Sequence, residues 1–202
     1  MGSRVVYYRG MRFEVIPEVY EPAEDTLLLA DNLDVRKEER VLDLGTGCGL
    51  LAILAAKLGG MVIATDVSPK AIECAEINAR TNHVEERVDF RLGDMFEPIG
   101  EERFDLIIFN PPYLPVPRDE GSDSLLSLAW SGGPNGRAII DGFLAGLPRH
   151  LRSKGRAMFV QSTLSNVERT IGELEERGLR AEVVARKKLM FEELFLIRAE
   201  SF

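Results

Sequence analysis

The stretch VLDLGTGCGLLAI at residues 41–53 contains the three parts of a cofactor-binding unit of an α/β protein. An apolar run of β-forming residues comes first, the glycines Gly45, Gly47 and Gly49 follow, and a second apolar run then has the composition of a helix. Glycines let a loop turn tightly and let a ligand approach the backbone closely. We therefore predict a strand, a ligand-binding loop and a helix in this order.

The remainder of the chain continues the alternation of strand-like and helix-like segments. The predicted strands are Arg40–Leu44, Met61–Asp66, Arg87–Leu92, Phe104–Phe109, Ala157–Gln161, Arg180–Ala185 and Glu193–Arg198. The predicted helices are Leu50–Leu58, Ala71–Arg80, Ala138–Leu151 and Ser165–Arg177. Strands that alternate with helices form a parallel sheet. Because the last two strands have no helix between them, we predict a doubly wound α/β fold with an antiparallel hairpin at one end of its sheet.

Two segments interrupt this alternation. The residues before Asp25 predict a small hairpin or arm, with a helix beginning near Pro22. The proline- and glycine-rich segment Asn110–Arg137 predicts a functional loop, because long structureless connections are uncommon in compact domains. It leaves the carboxyl end of a strand, where open α/β sheets bind ligands. We expect an N-terminal arm at residues 1–24 and a single domain at residues 25–202.

The composition excludes several classes of protein. The 202 residues are 45% hydrophobic and 29% charged, which is typical of a soluble globular protein, and the net charge of −8 disfavours extensive nucleic-acid binding. Cys48 and Cys74 are too few for a disulfide framework or a thiolate metal centre, so we expect no metal. There is no secretory signal and no apolar run of membrane length. The sequence predicts a cytoplasmic protein that does not bind membranes.

Acidic residues lie at or just after the ends of the first three predicted strands, at Asp43, Asp66 and Asp94. A carboxylate just before the glycines would repel a diphosphate but suits a cationic ligand. An acid at the end of the second strand commonly binds ribose hydroxyls. With G-x-G-x-G spacing and no phosphate-binding lysine, the pattern favours S-adenosylmethionine over a nicotinamide dinucleotide. The alternative is that the three acids only cap helices or turns.

The tetrapeptide Asn110–Pro111–Pro112–Tyr113 directly follows the fourth predicted strand. An amide or exocyclic amine nitrogen is a poor nucleophile, but the Asn110 side-chain oxygen and the Pro111 carbonyl could each accept one of its N–H groups and orient it. The two prolines stiffen the backbone, and Tyr113 offers an aromatic wall for a planar group. The tetrapeptide predicts methyl transfer to an NH2 group without an ionised base. The alternative is a proline-rich loop in which Asn110 caps a turn.

The motifs VLDLGTGCG, ATDVSP, GDMF and NPPY resemble those of the class I S-adenosylmethionine-dependent methyltransferases, and among them the HemK/PrmC-type protein-glutamine N5-methyltransferases. Val19–Leu29 (VYEPAEDTLLL) and Ala129–Arg137 (AWSGGPNGR) resemble the short archaeal and eukaryotic branch. That branch methylates the glutamine of the Gly-Gly-Gln loop in class I peptide-chain release factors. The resemblance implies a Rossmann-like catalytic domain with a seven-stranded, mostly parallel sheet.

The resemblance also implies the roles of single residues. The catalytic set is Asn110, Pro111, Pro112 and Tyr113. The cofactor is bound by Thr26 at its methionine part, Asp43 and Gly45 at its amino group, Asp66 at its ribose, Asp94 with the Met95 backbone at its adenine, and also by Gly47, Gly49 and Asn110.

Substrate selection is expected to involve a second protein or a loop of this chain. The bacterial members carry an extra N-terminal helical domain, whereas here only the short arm precedes the first helix. The Asn110–Arg137 loop and the arm are therefore candidates for the segment that selects the substrate. Members of the short branch resemble catalytic subunits that work with a small zinc-binding activator. The family's strand order places Arg87–Leu92 at the sheet edge, with Val88, Phe90 and Leu92 on one face, and an open edge strand can pair with another chain.

Other functions remain open from the sequence alone. The same tetrapeptide would serve an adenine-N6 methyltransferase acting on DNA or RNA, although the charge of −8 disfavours this function. A protein-lysine methyltransferase is a further alternative. A non-catalytic regulatory subunit would be expected to lack the acids or the N-P-P-Y tetrapeptide, and this chain has both.

Overall fold

The computed structural model describes residues 2–116 and 131–202. Residues 117–130 lie outside the described residues, and with them the central part of the predicted Asn110–Arg137 loop and the first two residues of the Ala129–Arg137 motif. The strands are β1 Arg4–Tyr8, β2 Met11–Val15, β3 Arg40–Leu44, β4 Met61–Asp66, β5 Val88–Leu92, β6 Phe104–Phe109, β7 Leu151–Ser162, β8 Leu179–Lys188 and β9 Glu193–Ser201. The helices are α1 Glu24–Asp31, α2 Leu50–Lys57, α3 Pro69–Thr81, α4 Ala138–His150 and α5 Val167–Glu176.

The strands form a two-stranded sheet, β1-β2, and a seven-stranded sheet in the order β5-β4-β3-β6-β7-β9-β8. Strand β9 is antiparallel to β7 and β8, whereas the β3–β4, β4–β5 and β6–β7 pairs are parallel. This confirms the predicted α/β fold with an antiparallel C-terminal hairpin. None of the helices in the described ranges is long and apolar enough to cross a membrane.

The chain divides into two compact units, and the first is residues 1–100. Its helix α2 is buried from Leu50 to Ala56, because small and aliphatic residues occupy every position. The predicted N-terminal hairpin is present, and Asn78 of α3 supports it by accepting from the Glu14 N–H at 2.7 Å and donating to the Glu14 carbonyl at 2.8 Å. Helix α3 begins as predicted, with Ser68 as its N-cap and Pro69 in its first turn.

The second unit is residues 101–202. Its core contains Phe143 of α4, whose ring centroid lies 5.1 Å from that of Phe109 and 5.2 Å from that of Phe159. Strand β7 begins at Leu151, six residues before the predicted start, because the polar segment RSKGR continues the strand after α4 without an apolar signal. The expected boundary between an arm and a single domain stays a prediction.

Candidate functional site

The glycine loop between β3 and α2 adopts the conformation that its sequence requires. Gly45, Gly47 and Gly49 have φ of 63°, 56° and 85°, in the left-handed region that favours glycine. A Cβ atom on Gly49 would lie 2.9 Å from the Cβ of Ala75, so the start of α2 packs closely against α3. A Cβ atom on Gly47 would meet nothing within 4 Å. The loop is therefore tight against α3 at Gly49 and open at Gly47, where a ligand can approach its backbone.

Asp43 is a buried carboxyl group at the end of β3. Its side chain accepts a hydrogen bond from the Thr46 hydroxyl at 2.7 Å, through Oδ2. The other oxygen, Oδ1, has no hydrogen-bond partner among residues 2–116 and 131–202. Burial raises the pKa of Asp43 to about 7. A buried acceptor of this kind is suited to a cationic donor, because a paired positive charge offsets the cost of burying the carboxylate.

Asp66 at the end of β4 connects the glycine loop to the next segment of the chain. Its Oδ2 accepts from the Gly47 N–H at 2.9 Å, and its Oδ1 accepts from the Ser68 N–H at 2.9 Å. Burial raises the pKa of Asp66. Asp66 therefore caps the turn after β4, which is the structural alternative to a ligand-binding role. Each of its carboxylate oxygens nevertheless has a further lone pair that can accept a hydrogen bond from a ligand hydroxyl.

Asp94 follows β5 and lies next to the end of β4. The Gly93 N–H donates to the Asp66 carbonyl at 3.0 Å, which fixes the start of this turn, and Met95 has φ of 46°. The Asp94 side chain is exposed. The structure thus brings the predicted adenine acid and the predicted ribose acid to neighbouring strand ends.

Thr26 lies in the first turn of α1 and is buried. Asp25 accepts from its backbone N–H at 2.6 Å and from its hydroxyl at 3.3 Å, both through Oδ1. The Tyr20 hydroxyl donates to Oδ2 of Asp25 at 3.0 Å. Sequence reasoning did not identify Asp25 or Thr46 as supporting residues. Asp25 belongs to the Val19–Leu29 motif and is an acid in the first turn of a helix, but neither signal indicates its hydrogen bonds to Thr26 and Tyr20.

The N-P-P-Y tetrapeptide directly follows β6 in the second unit, as predicted. Pro111 and Tyr113 are buried, whereas Asn110 and Pro112 are partly exposed. The tetrapeptide is thus anchored by Pro111 and Tyr113, and the Asn110 side-chain oxygen is itself buried. This arrangement can present polar acceptors to an incoming group while the proline-rich backbone stays in place.

Comparison with known proteins supports the assignment of this chain to the methyltransferases. The family described as Methyltransferase small domain matches residues 21–123. A solved structure of the E. cuniculi Mtq2–Trm112 complex, described as responsible for methylation of the eRF1 translation termination factor, matches with a TM-score of 0.67. That match is 27% identical and covers 92% of this chain and 99% of that chain. The fold, the glycine loop and the strand-end acids therefore define a class I methyltransferase that uses S-adenosylmethionine.

Two relatives define the family more narrowly. The Methanocaldococcus jannaschii protein that carries the name protein N5-glutamine methyltransferase MJ0928 is 41% identical over 196 residues, which are 96% of this chain and 98% of that protein. The methyltransferase HEMK2 of Mus musculus is 33% identical over 192 residues, which are 90% of this chain and 89% of that protein. The chain belongs to the protein N5-glutamine methyltransferase family.

Proposed function

We propose that this chain transfers a methyl group from S-adenosylmethionine to the side-chain amide nitrogen of a protein glutamine, in the Gly-Gly-Gln loop of a peptide-chain release factor. The observation that carries this proposal is the N-P-P-Y tetrapeptide, which follows β6 directly and is anchored by the buried residues Pro111 and Tyr113. The name of the Methanocaldococcus jannaschii relative describes methylation of a protein glutamine, and the E. cuniculi complex is described as methylating a translation termination factor, so both support the choice of acceptor. Translation termination takes place in the cytoplasm, where we place the chain.

The residues of the first unit fit the cofactor. We assign the ammonium group of its methionine part to Asp43, whose Oδ1 has no partner in the described ranges, and the ribose hydroxyls to Asp66. The open side of Gly47 admits a ligand to the loop, and Thr26 and the Asp94–Met95 turn complete the set. When bound, S-adenosylmethionine supplies a methyl group on a positively charged sulfur.

The residues of the second unit orient the acceptor. The Asn110 side-chain oxygen and the Pro111 carbonyl oxygen each accept one N–H of the glutamine amide, which fixes the direction of its nitrogen lone pair. Tyr113 limits the position of the planar amide. Both acceptors are neutral, so the amide nitrogen gives up its proton only after it has become cationic. Holding the amide in one orientation is therefore the main contribution of this tetrapeptide to the rate.

Replacing Asn110 tests this assignment. Asn110→Ala should lower kcat for methylation of a Gly-Gly-Gln peptide by about 100-fold or more, because one of two orienting acceptors is lost. The affinity for S-adenosylmethionine, measured by calorimetry, should survive. A control peptide with glutamate in place of the glutamine should accept no methyl group. Retained transfer by Asn110→Ala would contradict the proposal.

We further propose that a small activator subunit, zinc-binding as in the family that the chain resembles, pairs with strand β5. Within the described ranges β5 pairs only with β4, so one of its edges offers backbone hydrogen-bonding groups. An apolar side chain at the end of this strand is accessible, since Leu92 is 55% exposed. The E. cuniculi complex, in which a relative of this fold is assembled with Trm112, supports the presence of such a partner.

Substitution of Leu92 tests the proposed partner surface. Leu92→Asp should weaken co-purification with a Trm112-type subunit, because it places a charge beside the pairing edge. Leu164→Asp is the matched control, since Leu164 is 47% exposed and lies in the second unit. Equal loss of co-purification in both variants, or no loss in either, would contradict the assignment of the interface to β5.

A further inference from the structure

The loop that carries the N-P-P-Y tetrapeptide has few backbone donors of its own. Three of its residues between Asn110 and Val116 are prolines, which have no N–H group. The loop must therefore be held by its carbonyl groups and by the few N–H groups that remain. The structure shows where this support comes from: the segment Ser131–Arg137, which we call the supporting turn.

Hydrogen bonds join the supporting turn to the end of the loop. The Gly132 N–H donates to the Leu114 carbonyl at 2.9 Å, and the Val116 N–H donates to the Gly133 carbonyl at 2.9 Å. The supporting turn closes on itself through a bond from the Gly136 N–H to the Gly133 carbonyl at 3.1 Å. Residues that are 17 and 18 positions apart in sequence are thus held side by side.

Gly136 packs directly on the tetrapeptide. Its φ is 70°, and a Cβ atom at this position would overlap the carbonyl oxygen of Tyr113. On another side the same Cβ atom would lie 3.2 Å from the Cβ of Ser165. The backbone of Gly136 therefore fills the space between Tyr113 and Ser165, and only glycine fits there.

Arg137 fixes the end of the supporting turn. Its side chain is almost fully buried, with 3% exposure, and such burial requires partners. Its Nη1 donates to the Ser165 carbonyl at 2.8 Å, the Asn166 carbonyl at 3.0 Å and the Thr170 hydroxyl at 2.8 Å, and its Nη2 lies 2.8 Å from Asp141 Oδ1 and 3.6 Å from Glu173 Oε1. The guanidinium group is planar and carries several N–H donors, so it suits these partner atoms, whereas a lysine ammonium does not.

We propose that Gly136 and Arg137 are positioning residues for methyl transfer: Arg137 fixes the supporting turn to the beginning of α5, and Gly136 holds the Tyr113 carbonyl in place. This inference rests on the proposed function of the tetrapeptide. We assign neither residue a contact with the acceptor or the cofactor. They act through the backbone that presents the Asn110 and Pro111 acceptors.

A matched pair of alanine substitutions tests the role of Gly136. Gly178 after α5 has φ of 77°, and a Cβ atom there would meet nothing within 4 Å. Gly136→Ala and Gly178→Ala therefore introduce the same backbone strain, but only the first displaces the Tyr113 carbonyl. Gly136→Ala should lower kcat by about 100-fold, the effect of a misplacement of about 1 Å, with the affinity for S-adenosylmethionine unchanged. Equal kcat values in the two variants would overturn the proposal.

Hydrogen exchange of the Val116 and Gly132 amides gives a second readout, measured without any acceptor. Exchange at both should be faster in Gly136→Ala and in Arg137→Lys than in Gly178→Ala. Arg137→Lys also keeps the proposal testable if Gly136→Ala does not fold, and its kcat should fall with unchanged cofactor affinity. Loss of kcat with unchanged exchange at both amides would overturn the proposal. A failure of the proposed function would show instead as no glutamine methylation by the unaltered protein.

Discussion

The affinity for S-adenosylmethionine should depend on pH through one buried carboxyl group, that of Asp43. Burial raises the pKa of Asp43 to about 7, so about half of these groups are ionised at pH 7.0 and about 3% at pH 5.5. An ammonium group is attracted to the carboxylate and not to the neutral acid. If Asp43 binds the ammonium group, the affinity should fall about 15-fold between pH 7.0 and pH 5.5.

Isothermal titration calorimetry over this interval measures the effect directly, because the amino group of the ligand stays protonated below its own pKa of about 8. Asp43→Asn should bind weakly at pH 7.0 and lose little more at pH 5.5. Thr46→Val is a control that keeps the Asp43 carboxyl group but changes its pKa. The Thr46 hydroxyl donates to Asp43 at 2.7 Å and lowers the pKa of that carboxyl, so its removal should shift the midpoint of the pH dependence upward.

Two results would refute this reasoning. The first is an affinity that does not change between pH 5.5 and pH 7.0 in the unaltered protein. The second is a full pH dependence in Asp43→Asn, which would assign the titration to another group. Asp66→Asn should weaken binding but keep the pH dependence, since Asp66 is assigned to neutral hydroxyl groups.

Further predictions concern stability and the choice of acceptor. Asp43→Asn should stabilise the ligand-free protein at pH 8 by up to about 4 kcal/mol, measured by thermal unfolding. The pKa of the Asp43 carboxyl rises from 3.8 to about 7 on folding, so the folded state binds the proton more tightly than the unfolded state. The free energy of unfolding therefore falls as the pH rises through that interval. Gly49→Ala should lower the free energy of unfolding in urea by about 2–4 kcal/mol, because it adds both left-handed backbone strain and overlap with Ala75. Gly47→Ala should lower it by about 1–2 kcal/mol, because it adds the backbone strain without any overlap. Binding to double-stranded DNA or to tRNA should be weak at 50 mM salt, as expected from a net charge of −8; tight binding that falls steeply with salt would instead favour an adenine methyltransferase.

The parts of the fold that the sequence predicts correctly are those with a local signal. The β3–loop–α2 unit follows from an apolar run, three glycines and a second apolar run, and the start of α3 follows from Ser68 and Pro69. The edge position of β5 is also confirmed, although it came from the strand order of the resembled family. The early start of β7 was missed because its first residues are polar.

The supporting contacts of the site depend on the tertiary structure and have no local signal. Asp43 is recognisable as a strand-end acid, but its raised pKa arises from burial, which the hydrogen bond from the Thr46 hydroxyl offsets only in part. One of its oxygens is left without a partner among the described residues. Arg137 ends the Ala129–Arg137 motif, but the motif gives no sign that this charged side chain is buried. Its burial depends on acceptors 28 or more residues later in the chain. The roles of the cofactor-binding and N-P-P-Y residues stay predictions until variants are measured.

The most direct test of the central claim is the position of the transferred methyl group. The chain, with a Trm112-type subunit added, is incubated with labelled S-adenosylmethionine and with a release factor, a histone, DNA or tRNA, and the label is located by mass spectrometry. We predict one methyl group on the side-chain amide nitrogen of the glutamine in the Gly-Gly-Gln loop, and none in Asn110→Ala. A methyl group on lysine or adenine, with the release factor unlabelled, would contradict the proposed function.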